Sequence, residues 1–134
     1  MKKFGLILLA LAFIGSADAG KHEDAAQAAA TAWLQLIDTG HYTESWQQAA
    51  SPFQSQITKE AWTDALQRIR EPLGAVKLRH LKNAQYTTSL PGAPDGQYVV
   101  MQFDTQFENK QQGIETVTSM LKGNAWKVSG YYVK

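Results

Sequence analysis

Up to Gly74 the apolar residues recur every three or four positions, and beyond it the spacing drops to two, so the chain reads as helices followed by strands. Ala26, Ala30, Trp33 and Ile37, flanked by Ala29 and Leu36, form one stripe and predict a helix over Ala25–Thr39. Asp24 is its expected cap, Gln27 the capping-box partner and Gly40 the stop. A second, short helix begins near Thr43 and carries Trp46 and Ala49 as far as Ser51-Pro52, where proline suits a first helical position and Gln54 repeats the capping-box spacing. The third helix is capped by Thr58, with Glu60 in its first turn and Ile57 and Trp62 at the staple positions. Its stripe is Trp62, Ala65, Leu66 and Ile69. Arg68 and Arg70 close its last turn before Pro72 and Gly74.

The alternation after Gly74 places Val76, Leu78 and His80 on one face, read as the inward one, and Lys77, Arg79 and Leu81 on the other, in a bulged strand reaching about Thr88. Leu90 to Gly96 is a cluster of turn residues, in which Pro91-Gly92 fits a type II turn and Asp95-Gly96 a position needing positive φ. Val99, Met101, Phe103 and Phe107 then oppose Gln102, Asp104, Gln106 and Glu108, the pattern of a half-buried strand. Gln111 to Gly113 turns the chain into a third strand, Ile114–Lys122, and Gly123-Asn124 leads into a fourth in which Trp126, Val128 and Tyr132 share a face. The fold class is α+β, with three N-terminal helices packed on one face of a four-stranded, curved antiparallel sheet. No internal repeat, low-complexity tract or linker divides it.

Residues 1–19 depart from this pattern. Lys2 and Lys3, the apolar run Phe4–Ile14 and then Ala17-Asp18-Ala19 are the parts of a secretory signal peptide cut after Ala19. The run is shorter than the roughly 20 residues a membrane-spanning helix needs, and no cysteine is present to carry a lipid anchor. The expected product is one domain, residues 20–134, periplasmic or secreted and not held by a membrane. Removing Lys2, Lys3 and Asp18 leaves eleven basic and eleven acidic residues from 13 and 12, so the domain carries no net charge and no basic stripe for nucleic acid or anionic lipid. Without cysteines there are no disulfides, and packing alone must stabilise it.

Candidate chemistry is sparse. His22, His41 and His80 are too far apart in sequence for a metal site and no His-x-x-x-His or acidic calcium-loop spacing exists; neither a nucleophile elbow nor a phosphate loop is present, so no cofactor or metal is expected. His80, read as inward, is a candidate base, although no carboxylate partner is identifiable and a hydrogen-bonded structural histidine explains it more simply. Glu115 points inward or outward with the phase of its strand, and the cost of an unpaired buried carboxylate favours outward or the rim. Trp33, Trp62 and Trp126 belong to apolar stripes and read as core. Trp46 fits no long stripe and is the best candidate for a binding rim. Arg70, beside Glu71, is placed to guard a mouth between helices and sheet, though a cation at a helix end needs no function to explain it.

The segments Ala32-Trp33-Leu34, Ser45-Trp46, Arg70-Glu71-Pro72-Leu73-Gly74, Leu90-Pro91-Gly92, Asp95-Gly96-Gln97-Tyr98-Val99-Val100, Glu115-Thr116-Val117-Thr118 and Trp126-Lys127-Val128-Ser129-Gly130-Tyr131 resemble the bacterial family called domain of unknown function 4019. The arrangement also resembles the cystatin-like cone of the nuclear transport factor 2 superfamily, apart from the short strands often found there between helices. The resemblance implies an exported, cone-like domain and carries over no catalytic residue. Abundant aromatics without a reactive constellation favour a non-catalytic binding or accessory domain for a small apolar ligand or peptide partner. An assembly module pairing through its sheet is the alternative, followed by a small lyase- or isomerase-like enzyme on fold analogy alone; the domain is expected to be a monomer or a homodimer.

Overall fold

A computed structural model describes the backbone of residues 2–134 and the side chains of residues 20–134; the expected leader, residues 1–19, lies outside the residues described in full. Four helices precede four strands: α1 (Lys2–Asp38), α2 (Tyr42–Gln47), α3 (Ser51–Gln56), α4 (Lys59–Arg70), β1 (Val76–Thr87), β2 (Tyr98–Phe107), β3 (Lys110–Lys122) and β4 (Ala125–Val133). Asp24 is an interior helical position, not a cap, because the helix already runs through Gly20-Lys21-His22-Glu23 ahead of it. Gly40 does end α1. At φ +80° it places its own N–H 3.0 Å from the Ile37 carbonyl and that of His41 2.7 Å from the Leu36 carbonyl, a Schellman closure. The expected second helix is two short ones, since Pro52 cannot continue α2 but can open α3. Thr58 caps α4 by accepting from the Ala61 N–H at 3.1 Å.

The strands pair antiparallel in the order β1-β2-β3-β4. α1 crosses one face and touches every strand. Between the layers, Ala26, Ala30, Trp33, Leu34, Ile37, Phe53, Trp62 and Leu66 meet Val99, Met101, Phe103, Val117 and Val128. Trp62 stands edge-on to Phe53, with ring centroids 4.9 Å apart, and its indole N–H donates to Ser45 Oγ at 2.9 Å. Trp126 is only half-buried, at the margin of this core.

Bulges set the facing of the outer strands. β1 shifts register between Val76 and Leu78 and again between Leu81 and Asn83, so Arg79, Leu81, Ala84 and Tyr86 turn toward the helices. His80 pairs with Asp104 on the opposite face and is exposed there, as is Leu78, contrary to the inward reading of both; Val76, ahead of the first shift and paired with the buried Phe107, does face inward. In β4 an extra residue, Ser129, sits opposite the Thr118/Ser119 step, so Tyr131 takes the inward position and Tyr132 is left exposed. The β2–β3 turn falls at Glu108-Asn109, ahead of the expected Gln111–Gly113, because the Ala75 and Leu73 carbonyls accept its two N–H groups at 2.8 and 2.9 Å. Gly92 has φ +78°, as a type II turn at Pro91-Gly92 requires, whereas Gly96 is not in the positive-φ region.

Candidate functional site

β3 alternates with Glu115, Val117, Ser119 and Leu121 on the side facing the helices, which carries Glu115 inward, opposite Phe103 of β2. Its carboxylate is fully buried and accepts from three other strands: Arg79 Nε and Nη2 of β1 at 2.7 and 3.2 Å, Thr105 Oγ1 of β2 at 2.6 Å, and the Tyr131 hydroxyl of β4 at 2.5 Å. Arg70, at the end of α4 and 5 % exposed, approaches the same carboxylate at 3.9 Å. Asp38, the last residue of α1, completes the cluster. Its Oδ1 accepts from Arg70 Nη2 at 2.9 Å and Arg79 Nη2 at 3.0 Å, and its Oδ2 from Arg79 Nη1 at 2.7 Å.

Two cations thus face two carboxylates, each arginine reaching both, with the Arg70 guanidinium also 5.1 Å over the Phe107 ring. Burial pushes the Asp38 carboxyl up, but the hydrogen bonds and charge of Arg79, joined by Arg70, outweigh it and hold Asp38 below its ordinary value. Burial lowers both arginines, but Tyr131, Asp38 and Glu115 raise Arg70 and Asp38 and Glu115 raise Arg79, with a net rise for both. Burial first, then the neighbouring Glu115 charge, pushes the Tyr131 hydroxyl well above its ordinary range, against an opposing effect of Arg70. The result is a charge-balanced clamp joining α1, α4 and all four strands. With its carboxylates bonded to guanidinium and hydroxyl donors, it presents no free base and no spare cation, and only Arg70 Nε lacks a partner.

The sequence candidates divide around this clamp. Arg70 and Glu115 meet in it, and Glu115 is buried rather than outward or at the rim, because four donors supply what an unpaired carboxylate would lack. His80 lies on the opposite face of the sheet, its Nε2 3.8 Å from Asp104 Oδ2, beside a groove of about 390 Å³ shared with Leu78, Gln106, Gln112 and Ile114. Trp46 is half-buried; it donates its indole N–H to the Ile57 carbonyl at 2.8 Å and lines none of the described grooves. Asp38, Arg79, Thr105 and Tyr131 escaped the sequence reading. The one available signal was Thr105, a polar residue interrupting the apolar row Val99, Met101, Phe103 and Phe107.

Among the described residues no three His, Cys, Asp or Glu side chains converge on a metal position, and no helix is long and apolar enough to cross a membrane. No curated protein matches the sequence. Residues 29–131, most of the chain and all of the clamp, match the family described as Protein of unknown function (DUF4019), and the protein belongs to that family.

Proposed function

We propose that this is an exported, periplasmic or secreted, non-catalytic binding domain, in which the helices and the ionic clamp hold the sheet while its uncovered face engages an extended peptide segment of a partner. The carrying observation is a contrast between the faces. Inside, aromatic packing fills the space and the carboxylates are already bonded. Outside, Leu78 is 58 % exposed beside Ile114 and the amide side chains of Gln106, Gln111 and Gln112, in a groove of a size that suits a few residues of chain. Apolar contact with alternating amide hydrogen bonds suits an extended peptide better than a small apolar ligand. His22 lies 4.7 Å from the Tyr86 ring of β1 and 5.8 Å from the Trp126 ring of β4, and this approach of the two edge strands to one side chain supports a cone-like curvature of the nuclear transport factor 2 kind.

Backbone NMR of the domain titrated with a library of extended peptides tests the reading. Shifts should cluster at Leu78, His80, Asp104, Gln106 and Ile114, and Leu78→Asp should remove them while leaving the spectrum of the free domain folded. Shifts centred on Trp46, or around Glu115 and Arg70, would overturn it. Self-association through the same face is the second reading, favoured by Tyr132 standing as exposed as Leu78; it requires a concentration-dependent sedimentation coefficient that Leu78→Asp abolishes.

A further inference from the structure

The cut after Ala19 that export requires makes Gly20-Lys21-His22 the start of the mature chain. We propose that this end is a copper(II) site, formed by the Gly20 α-amine, the amide nitrogens of Lys21 and His22, and Nδ1 of the His22 imidazole. The inference rests on the export reading for the position of the chain end, and on chain chemistry for everything else.

A histidine in third place lets its Nδ1, the amine and the two intervening amides close fused chelate rings around one ion in a plane. A planar all-nitrogen set selects copper(II), with nickel(II) next, and rejects tetrahedral zinc. Copper binding releases the two amide protons to solvent, together with the ammonium proton where the amine is protonated, and the two amide anions neutralise the ion. Lys21 is not proline, so its amide has a proton to lose.

Apart from the His22 ring, which stacks on Tyr86 and must turn away from it to chelate, little of the domain holds this end. Once the chain starts at Gly20, Lys21 and His22 sit in a first helical turn, where N–H groups have no intrahelical acceptor. Gly20 has open space around it and Lys21 is exposed. The first fully buried residue of this stretch is Ala26, and Glu23 fastens the helix by accepting the Tyr86 N–H at 3.3 Å. Residues 20–22 can therefore leave helical geometry without opening the core. No thiol competes for the ion, and His41 is bonded through Nδ1 to Thr39 Oγ1 at 2.7 Å. Glu23 stays bonded to Tyr86 next to Trp126, so an ion held on the adjoining His22 remains within quenching range of a tryptophan even after the ring has turned.

Copper(II) titration of the protein recovered after export, with its intact mass, and of protein produced to begin at Gly20 tests the site. One equivalent should give the visible band and the nitrogen hyperfine pattern of a square-planar all-nitrogen complex and should quench tryptophan emission. His22→Ala, Lys21→Pro and a chain with one added residue before Gly20 should lose all three signals, while His41→Ala and His80→Ala keep them. Absence of the complex in the chain beginning at Gly20, or its survival in His22→Ala, overturns the site. An exported mass that does not begin at Gly20 overturns the cut, and with it the occurrence of the site after export, while the chelate chemistry is judged separately on the produced chain.

Discussion

Glu115 takes hydrogen bonds from each of the other three strands, so one buried carboxylate joins the whole sheet. Removing one member of a buried ion pair leaves the others charged and unpaired, which costs about 3–5 kcal/mol. Glu115→Ala should show a loss of that size in urea unfolding, whereas Asp104→Ala on the outer face should stay within about 0.5 kcal/mol of wild type. A loss below about 1 kcal/mol for Glu115→Ala would mean that water already reaches the carboxylate and that the clamp is an open site. The sequence pointed to Glu115 and Arg70 but not to their meeting, and it exchanged the roles of Glu115 and His80. The reason is local: an apolar Leu78 beside His80 imitates an inward face, while the arginine that satisfies Glu115 lies on a strand whose register shifts twice. Composition shows that a buried carboxylate needs a partner, but only the register supplies one.

Elements were legible where period and punctuation agreed. The Thr58 cap, the Gly40 stop and the apolar row of β2 follow from spacing alone, because each depends on neighbours within a turn or a pleat. What escaped was set at a distance: the Ser129 bulge that turns Tyr131 inward, and the early β2–β3 turn whose amides are taken by the loop after α4. α4 supplies a direct check, since Trp62 is buried against Phe53 and Trp33 and hydrogen-bonded to Ser45. Trp62→Ala should cost about 3–5 kcal/mol in denaturant titration; a cost under about 1 kcal/mol would misplace the helix face that meets the sheet. Two glycines with similar backbones make a second check. Gly123 has φ +62° with open space, so Gly123→Ala should cost about 1–2 kcal/mol for the left-handed backbone alone. Gly74 has φ +77°, and an added Cβ would lie 2.7 Å from Glu108 Oε1 and 2.9 Å from Glu108 Cβ, so Gly74→Ala should lower the melting temperature further than Gly123→Ala. Equal effects would mean that the turn at Glu108 yields freely.

At the scale of the molecule, the clamp ties the ends of α1 and α4 to the sheet, so its protonation states should govern the stability of the whole domain. Asp38 has a folded value below its ordinary 3.8, so it contributes stability above that pH and loses the contribution as pH falls from about 3.8 through the folded value. Tyr131 has a folded value raised above its ordinary 10.0, so its contribution is complete below pH 10 and declines as pH rises beyond it, when the unfolded chain ionises first. Tyr42 is raised in the same direction, by burial and then by Glu71, against Arg70, and adds to the alkaline decline. Unfolding midpoints measured from about pH 2 to about pH 12 should therefore fall at both ends. Asp38→Asn should flatten the acid limb while lowering the plateau, because Asn cannot supply the charge that holds both arginines. Tyr131→Phe should shrink the alkaline limb and leave the remainder that Tyr42 contributes. An acid limb unchanged in Asp38→Asn would show that the arginines draw their stability from Glu115 alone, and that α1 is joined to the sheet by apolar packing rather than by the ionic clamp.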